Sequence, residues 1–214
     1  LVHVSNAAGF GFFDGRNMKF ETEKLSKMGV KETWLPEVCT GIEKLGLYRN
    51  RQVTTAIGDN QASFLGAAGK EENTLLVNMG TGGQISILSD QYFAEKGIEA
   101  RPFLNGKYLL VGSSLCGGKS YALLEQFFRR VVKAVTGEDN SLYPVMEQFA
   151  KTGKEQSNRI SEDRKLKIRT TFDGTRTDPK SSGSIQGLTS DNFTPEAFTY
   201  GILEGMGDEL YQMY

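Results

Sequence analysis

Three short glycine-bearing segments constrain this chain more than any other feature, because each stands where an apolar run ends: Ile57-Gly-Asp-Asn-Gln61, Asn78-Met-Gly-Thr-Gly-Gly83 and Gly112 to Ser120. Glycine is abundant, 25 of 214 residues, roughly 12% against a usual ~7%, and it is clustered. A glycine at a strand end permits a tight turn or a close approach of backbone to a ligand. The pattern asks for alternating strands and helices, an α/β fold, with its chemistry at the strand ends.

Ile57-Gly-Asp-Asn-Gln61 places a carboxylate at the end of an apolar strand and just before a helix. An Asp there serves as a helix N-cap, worth ~1 kcal/mol. It serves equally as a general base fixed by a rigid strand end, and the two readings are compatible. Asn78-Met-Gly-Thr-Gly-Gly83 lies between the apolar runs Leu75-Leu-Val77 and Ile85-Ser-Ile-Leu88, the pattern of a hairpin. Such a turn can be purely structural, or its successive backbone N–H groups and the Thr hydroxyl can cradle phosphate oxygens. The third segment imitates the nucleotide loop G-x-x-x-x-G-K-[ST] through Gly118-Lys119-Ser120 after the strand Tyr108-Leu-Leu-Val111. The imitation fails, since Ser113 stands where the first glycine belongs and Gly112 is one residue too far. These glycines still let a helix start approach an anion.

Composition removes several classes of function. With 25 Lys+Arg against 26 Asp+Glu, the formal charge of −1 lacks the footprint of a nucleic-acid binder or a polybasic membrane anchor. One histidine, His3, cannot make a His-based metal triad, and Cys39 and Cys116 do not make a disulfide framework. No 18-residue apolar run is present and no signal peptide is evident, so the cytoplasm is the simplest expected compartment.

Along the chain, Leu1-Val-His-Val is a short strand, and Asp14-Gly15 is a turn between extended segments. A short polar helix is expected over 21–28, closed by Gly29, and a strand over 53–57. A helix over 61–68 ends at Gly69. Leu123, Leu124, Phe127, Phe128, Val131 and Val132 form one apolar helix face about four turns long. The charge-dense 151–167 stretch reads as solvated surface. Asp173-Gly174, Asp178-Pro179 and Ser181-Ser-Gly183 make a turn-rich stretch. Thr194-Pro195 is a helix start with a face of Phe198, Ile202 and Met206.

Taken in order, Ala56-Ile-Gly-Asp-Asn-Gln-Ala-Ser-Phe-Leu-Gly66 and then Leu76-Val-Asn-Met-Gly-Thr-Gly-Gly-Gln84 resemble the FGGY carbohydrate kinases, in particular the sedoheptulokinase and xylulokinase branches. Ser5-Asn-Ala-Ala-Gly-Phe-Gly-Phe-Phe-Asp14 resembles the strand-turn preceding this block, and 112–128 and 194–211 match later helices loosely. The resemblance implies an actin-like, ribonuclease-H-like fold, incomplete here, with a mixed sheet, flanking helices, and ATP and sugar in a cleft. By position, Asp59 would be the catalytic base, Asn60 would lie beside the sugar, Gly80, Thr81 and Gly82 would hold the ATP phosphates, and Gly118 would approach the nucleotide. Mg²⁺ would bridge phosphate oxygens through water with few protein ligands.

Family members run to roughly twice this length, so the chain reads as a fragment inactive by itself. Residues 1–69 would be the tail of the sugar-binding domain and 70–214 the truncated first part of the nucleotide-binding domain. The expected partner is a small-molecule sugar such as sedoheptulose or xylulose, with no nucleic acid or membrane and with room for a homodimer. Two other classes stay open: a non-enzymatic nucleotide-binding protein of the same superfold, and a plain α/β binding domain in which every glycine is structural.

Overall fold

The computed structural model describes residues 1–69 and 74–213. Contacts divide the chain into two units, Leu1–Leu76 with Ser86–Val111, and Val77–Ile85 with Gly112–Tyr214.

The first unit opens with β1 (Val2–His3) and α1 (Val4–Ala7), followed by the β2 (Phe13–Asp14) and β3 (Lys19–Phe20) hairpin around the Asp14-Gly15 turn. Asp14 accepts hydrogen bonds from the N–H groups of Arg16 and Asn17, the local bonding that makes Asp a turn former. α2 (Thr22–Lys27) ends near Gly29, whose φ of +83° suits glycine. β4 (Val38–Cys39) runs parallel to β1. β5 (Lys44–Tyr48) and β6 (Arg51–Thr54) form an antiparallel hairpin. The strand expected over 53–57 is therefore displaced: β6 stops at Thr54, and the backbone of 55–58 is irregular. Thr55 explains the stop: its N–H still donates to Glu43 O in register, but the Glu43 N–H donates to the Thr55 hydroxyl oxygen at 3.0 Å and not to its carbonyl, so the ladder goes no further.

α3 (Asp59–Ala68) buries Phe64 in a cluster with Phe103, Leu104, Leu109 and Val111, and Gly69 closes it at φ +71°. β7 (Leu75–Met79), β8 (Gly83–Ser89), β9 (Ile98–Pro102) and β10 (Tyr108–Ser114) make a four-stranded sheet in the order β7-β8-β10-β9. The expected hairpin is present, since a short 80–82 turn can join only antiparallel neighbours.

The second unit continues from β10 into α4 (Gly117–Thr136), α5 (Tyr143–Ser157), the β11 (Lys167–Arg169) and β12 (Ser184–Gln186) antiparallel pair, and α6 (Pro195–Tyr211). Its core is Leu124, Met146, Leu166, Ile168, Ile202 and Met206. α4 is longer than expected, and only part of its apolar face is covered: Phe127 is 61% and Val135 81% exposed. α6 starts as predicted, with Thr194 Oγ1 accepting the Ala197 N–H at 3.2 Å ahead of Pro195. Two glycines let α6 lie on β11: a Cβ at Gly205 would fall on the Ile168 carbonyl, and one at Gly201 would meet the Ile168 side chain at 3.1 Å. Gly153 does the same for α5, facing Glu196 and Tyr200.

Candidate functional site

In the first unit, the chain is fixed just before Asp59. The Gly58 N–H donates to Ser5 Oγ at 2.8 Å, and Asn6 Nδ2 donates to Ala56 O at 2.9 Å. Ser5 in turn bonds the buried His3 ring at 2.7 Å, and His3 Nε2 lies 3.1 Å from Thr40 O. Burial holds the His3 pKa below its ordinary value, a bias toward the neutral ring. Gly58 must be glycine, because a Cβ would sit 2.5 Å from Gln61 Oε1. Gln61 cannot swing away cheaply: it is buried, and its Nε2 donates to Pro102 O at 3.0 Å.

This anchoring corrects one expectation. Gly58, extended at φ −62° and ψ 152°, is the N-cap of α3, and Asp59 is the first helical residue. Asp59 Oδ1 accepts the N–H of Asn60 at 2.7 Å, and the residue is exposed to solvent. The carboxylate thus sits where the helix dipole favours negative charge, without the N-cap geometry. Asn60 Oδ1 is buried and has no hydrogen-bond partner among the described residues. Leaving such an acceptor unpaired costs about 1–3 kcal/mol, which a donor supplied from outside the chain would recover.

In the second unit, the 80–82 turn is locked against the first turn of α4. Gly80 N–H donates to Gly82 O at 2.9 Å, Gly118 N–H to Gly80 O at 2.8 Å, and Lys119 N–H to Thr81 O at 3.1 Å. The two backbones nearly touch. A Cβ at Gly118 would lie 2.6 Å from Gly80 O, one at Gly82 2.6 Å from Ser114 O, and one at Gly117 would fall inside the Gly82 backbone. Gly82, Gly117 and Gly118 are there because no side chain fits, whereas Gly80 meets nothing closer than 3.9 Å. These bonds leave the N–H groups of Thr81 and Gly82 uninvolved, and Thr81 is exposed. The Gly118 N–H is occupied by Gly80 O, and the same oxygen fills the space where a Gly118 Cβ would stand, so the glycine serves the turn by letting α4 approach it. Gly112 lies within β10, which agrees with rejecting the imitated nucleotide loop.

Sequence reasoning missed a further cluster beside this turn. Cys116 is fully buried and its Sγ lies 3.2 Å from Asp173 Oδ2, while the Asp173 N–H donates back to Sγ at 3.2 Å. Lys119 Nζ pairs with the same carboxylate oxygen at 2.5 Å. The thiol is pushed up by burial, and the Lys119 bond holds the Asp173 carboxyl below its ordinary range. Asp173 is 54 residues from Lys119, and nothing in the local pattern pairs them. Among the described residues, no group of three or more His, Cys, Asp or Glu side chains gathers as a metal site, and no helix is long and apolar enough to cross a membrane.

No family model matches the chain. An uncharacterized sugar kinase from Archaeoglobus fulgidus is 33% identical over 82 residues, which are 38% of this chain and 17% of that protein. Gluconate kinase from Lactobacillus acidophilus superposes with a TM-score of 0.75 at 22% identity, covering 98% of this chain and 43% of that one. Ligand-bound xylulose kinase from the same organism gives 0.74 at 21% identity, with coverages of 98% and 43%. Plasmodium falciparum glycerol kinase with ADP gives 0.69 at 18% identity, with coverages of 98% and 42%. The chain spans less than half the length of the solved structures it resembles, and about a sixth of the curated relative. Its fold is that of part of these sugar kinases, the actin-like ATPase fold, in agreement with the resemblance of the two glycine blocks.

Proposed function

We propose that the chain is part of an ATP-dependent carbohydrate kinase that transfers the γ-phosphoryl group to a hydroxyl of a sugar such as xylulose or sedoheptulose. The observation that carries this reading is the 80–82 turn, pinned by backbone hydrogen bonds to α4 with the Thr81 and Gly82 N–H groups outside those bonds. A preorganised pair of donors suits phosphate oxygens. Residues 1–69 belong to the sugar-binding domain and 70–214 to the nucleotide-binding domain.

In the reaction, Asp59 accepts the proton of the sugar hydroxyl as its oxygen bonds the γ-phosphorus and the bond to the β-phosphate oxygen breaks, leaving ADP. Gly58 and the Ser5 bond hold the residue before Asp59, which limits how far the carboxylate can drift. Asn60 offers its unpartnered Oδ1 to a sugar hydroxyl. Gly80, Thr81 and Gly82 grip the phosphates, and Gly118 serves the nucleotide by letting the start of α4 lie against the Gly80 carbonyl and hold that turn. Mg²⁺ would neutralise phosphate charge while held mainly by phosphate oxygens and water, with few protein ligands. A cytoplasmic location and assembly as a homodimer complete the proposal, the latter testable by sedimentation equilibrium.

The test is phosphorylation of a panel of ketoses and polyols by the full-length polypeptide that carries this sequence. Asp59→Asn keeps the side-chain size and removes the proton acceptor, so kcat should fall by ~10²–10⁴ with ATP affinity nearly unchanged. Full turnover in that variant would overturn the role of Asp59. The 214 residues alone should show no appreciable turnover, and a rate of ~1–100 s⁻¹ from them would overturn the reading of a partial kinase.

A further inference from the structure

We infer that Lys119 is a phosphate-binding residue of this same nucleotide site, held by Asp173 until a nucleotide arrives; the inference rests on the reading of the 80–82 turn given above. Lys119 is the first residue of α4 with a side chain, because Gly117 and Gly118 have none. Its own N–H is bonded to Thr81 O at 3.1 Å, so its stem starts beside the turn. A lysine ammonium is a flexible point charge with three donors, suited to phosphate oxygens.

The position is unfavourable for a cation without a ligand or a counter-charge. The first turn of a helix favours acidic residues, and α4 carries none there. Asp173 supplies the counter-charge at 2.5 Å, in a pair whose side chains are 42% and 44% exposed. Pairs this open to water are weakly held. Asp173 is also tied to Cys116 through both its N–H and its carboxylate, so it stays in place if Lys119 leaves. A triphosphate offers more negative charge than one carboxylate and forms strong charge-assisted bonds. Lys119 therefore exchanges Asp173 for the nucleotide, and Asp173 weakens binding by competing for it.

The experiment is titration of the 214-residue chain with ATP and Mg²⁺, and separately with adenosine, read by the backbone amide resonances of Thr81 and Gly82. Lys119→Met should weaken ATP binding by about five- to ten-fold, and Lys119→Arg should restore most of it. Asp173→Asn should tighten ATP binding by roughly two-fold or more, since it frees Lys119 and removes a repelling charge. Neither change should alter the response to adenosine, which has no phosphate. Equal ATP affinity in wild type and Lys119→Met would overturn this inference and leave the turn's role standing. Weaker binding in both Lys119→Met and Asp173→Asn would also overturn it, because that is the signature of a pair that only supports the fold. Thr81 and Gly82 resonances that ignore ATP would overturn the reading of the turn and this inference together.

Discussion

Asp59 sits at the first helical position with Gly58 as the cap, so its carboxylate supports α3 only through the helix dipole. Asp59→Ala should therefore lower stability by about 0.3–1 kcal/mol, not by the loss expected of a true cap, and urea unfolding of both forms measures it. His3 makes a second prediction with a definite sign. Its folded pKa lies below the ordinary 6.5 because the ring is buried. Below pH 6.5 the unfolded chain then binds more protons than the folded one, so stability is lost as pH falls from about 6.5 toward the lower folded value. This is the chain's single histidine, so that window belongs to it. Melting curves at pH 7.5, 6.5 and 5.5 should show a falling midpoint in wild type and a flat one in His3→Gln; equal slopes would refute the assignment.

Among the elements, α6 is the one most exposed to single-atom changes. Gly205 and Gly207 are both helical, yet a Cβ at 205 would strike the Ile168 carbonyl and one at 207 would meet nothing within 4 Å. Gly205→Ala should cost about 1–3 kcal/mol by forcing α6 off β11. Gly207→Ala should gain roughly 0.5–1 kcal/mol through helix propensity. Chemical denaturation of the two variants checks both, and equal effects would mean that α6 does not pack as described. The start of α6 was readable because Thr194 and Pro195 act locally. α5 was not, because it buries Met146 and Gly153 and leaves most of its charged residues in water, so its pattern resembles a solvated stretch. The β-branched residues Val53, Thr54, Thr55 and Ile57 extend the strand pattern past the true end of β6, which the side-chain bonds of Thr55 to Gly41 and Glu43 decide.

For the whole molecule, much apolar surface stays in water. Leu75, Val77 and Met79 alternate along β7 at 42–49% exposure, and Phe127, Val131 and Val135 line α4 at 52–81%. Contiguous patches of this kind favour self-association. Phe127→Lys with Val135→Lys should lower concentration-dependent light scattering while changing stability by less than about 0.5 kcal/mol each, and unchanged scattering would show that this face does not drive association. The sequence alone determined the features that depend on neighbours a few residues apart: the 80–82 turn between two apolar runs, a helix after the Gly58-Asp59 turn, the helix opening at Pro195, and the glycine closing α3. Only the tertiary structure decided that Gly82, Gly117 and Gly118 are a backbone contact, that Gly58 caps α3 under a Ser5 bond, and that Lys119 faces Asp173. The physical reason is range. Periodicity and capping are set by bonds within a turn or two, whereas these contacts join residues 32 to 54 apart whose meeting depends on how the elements pack.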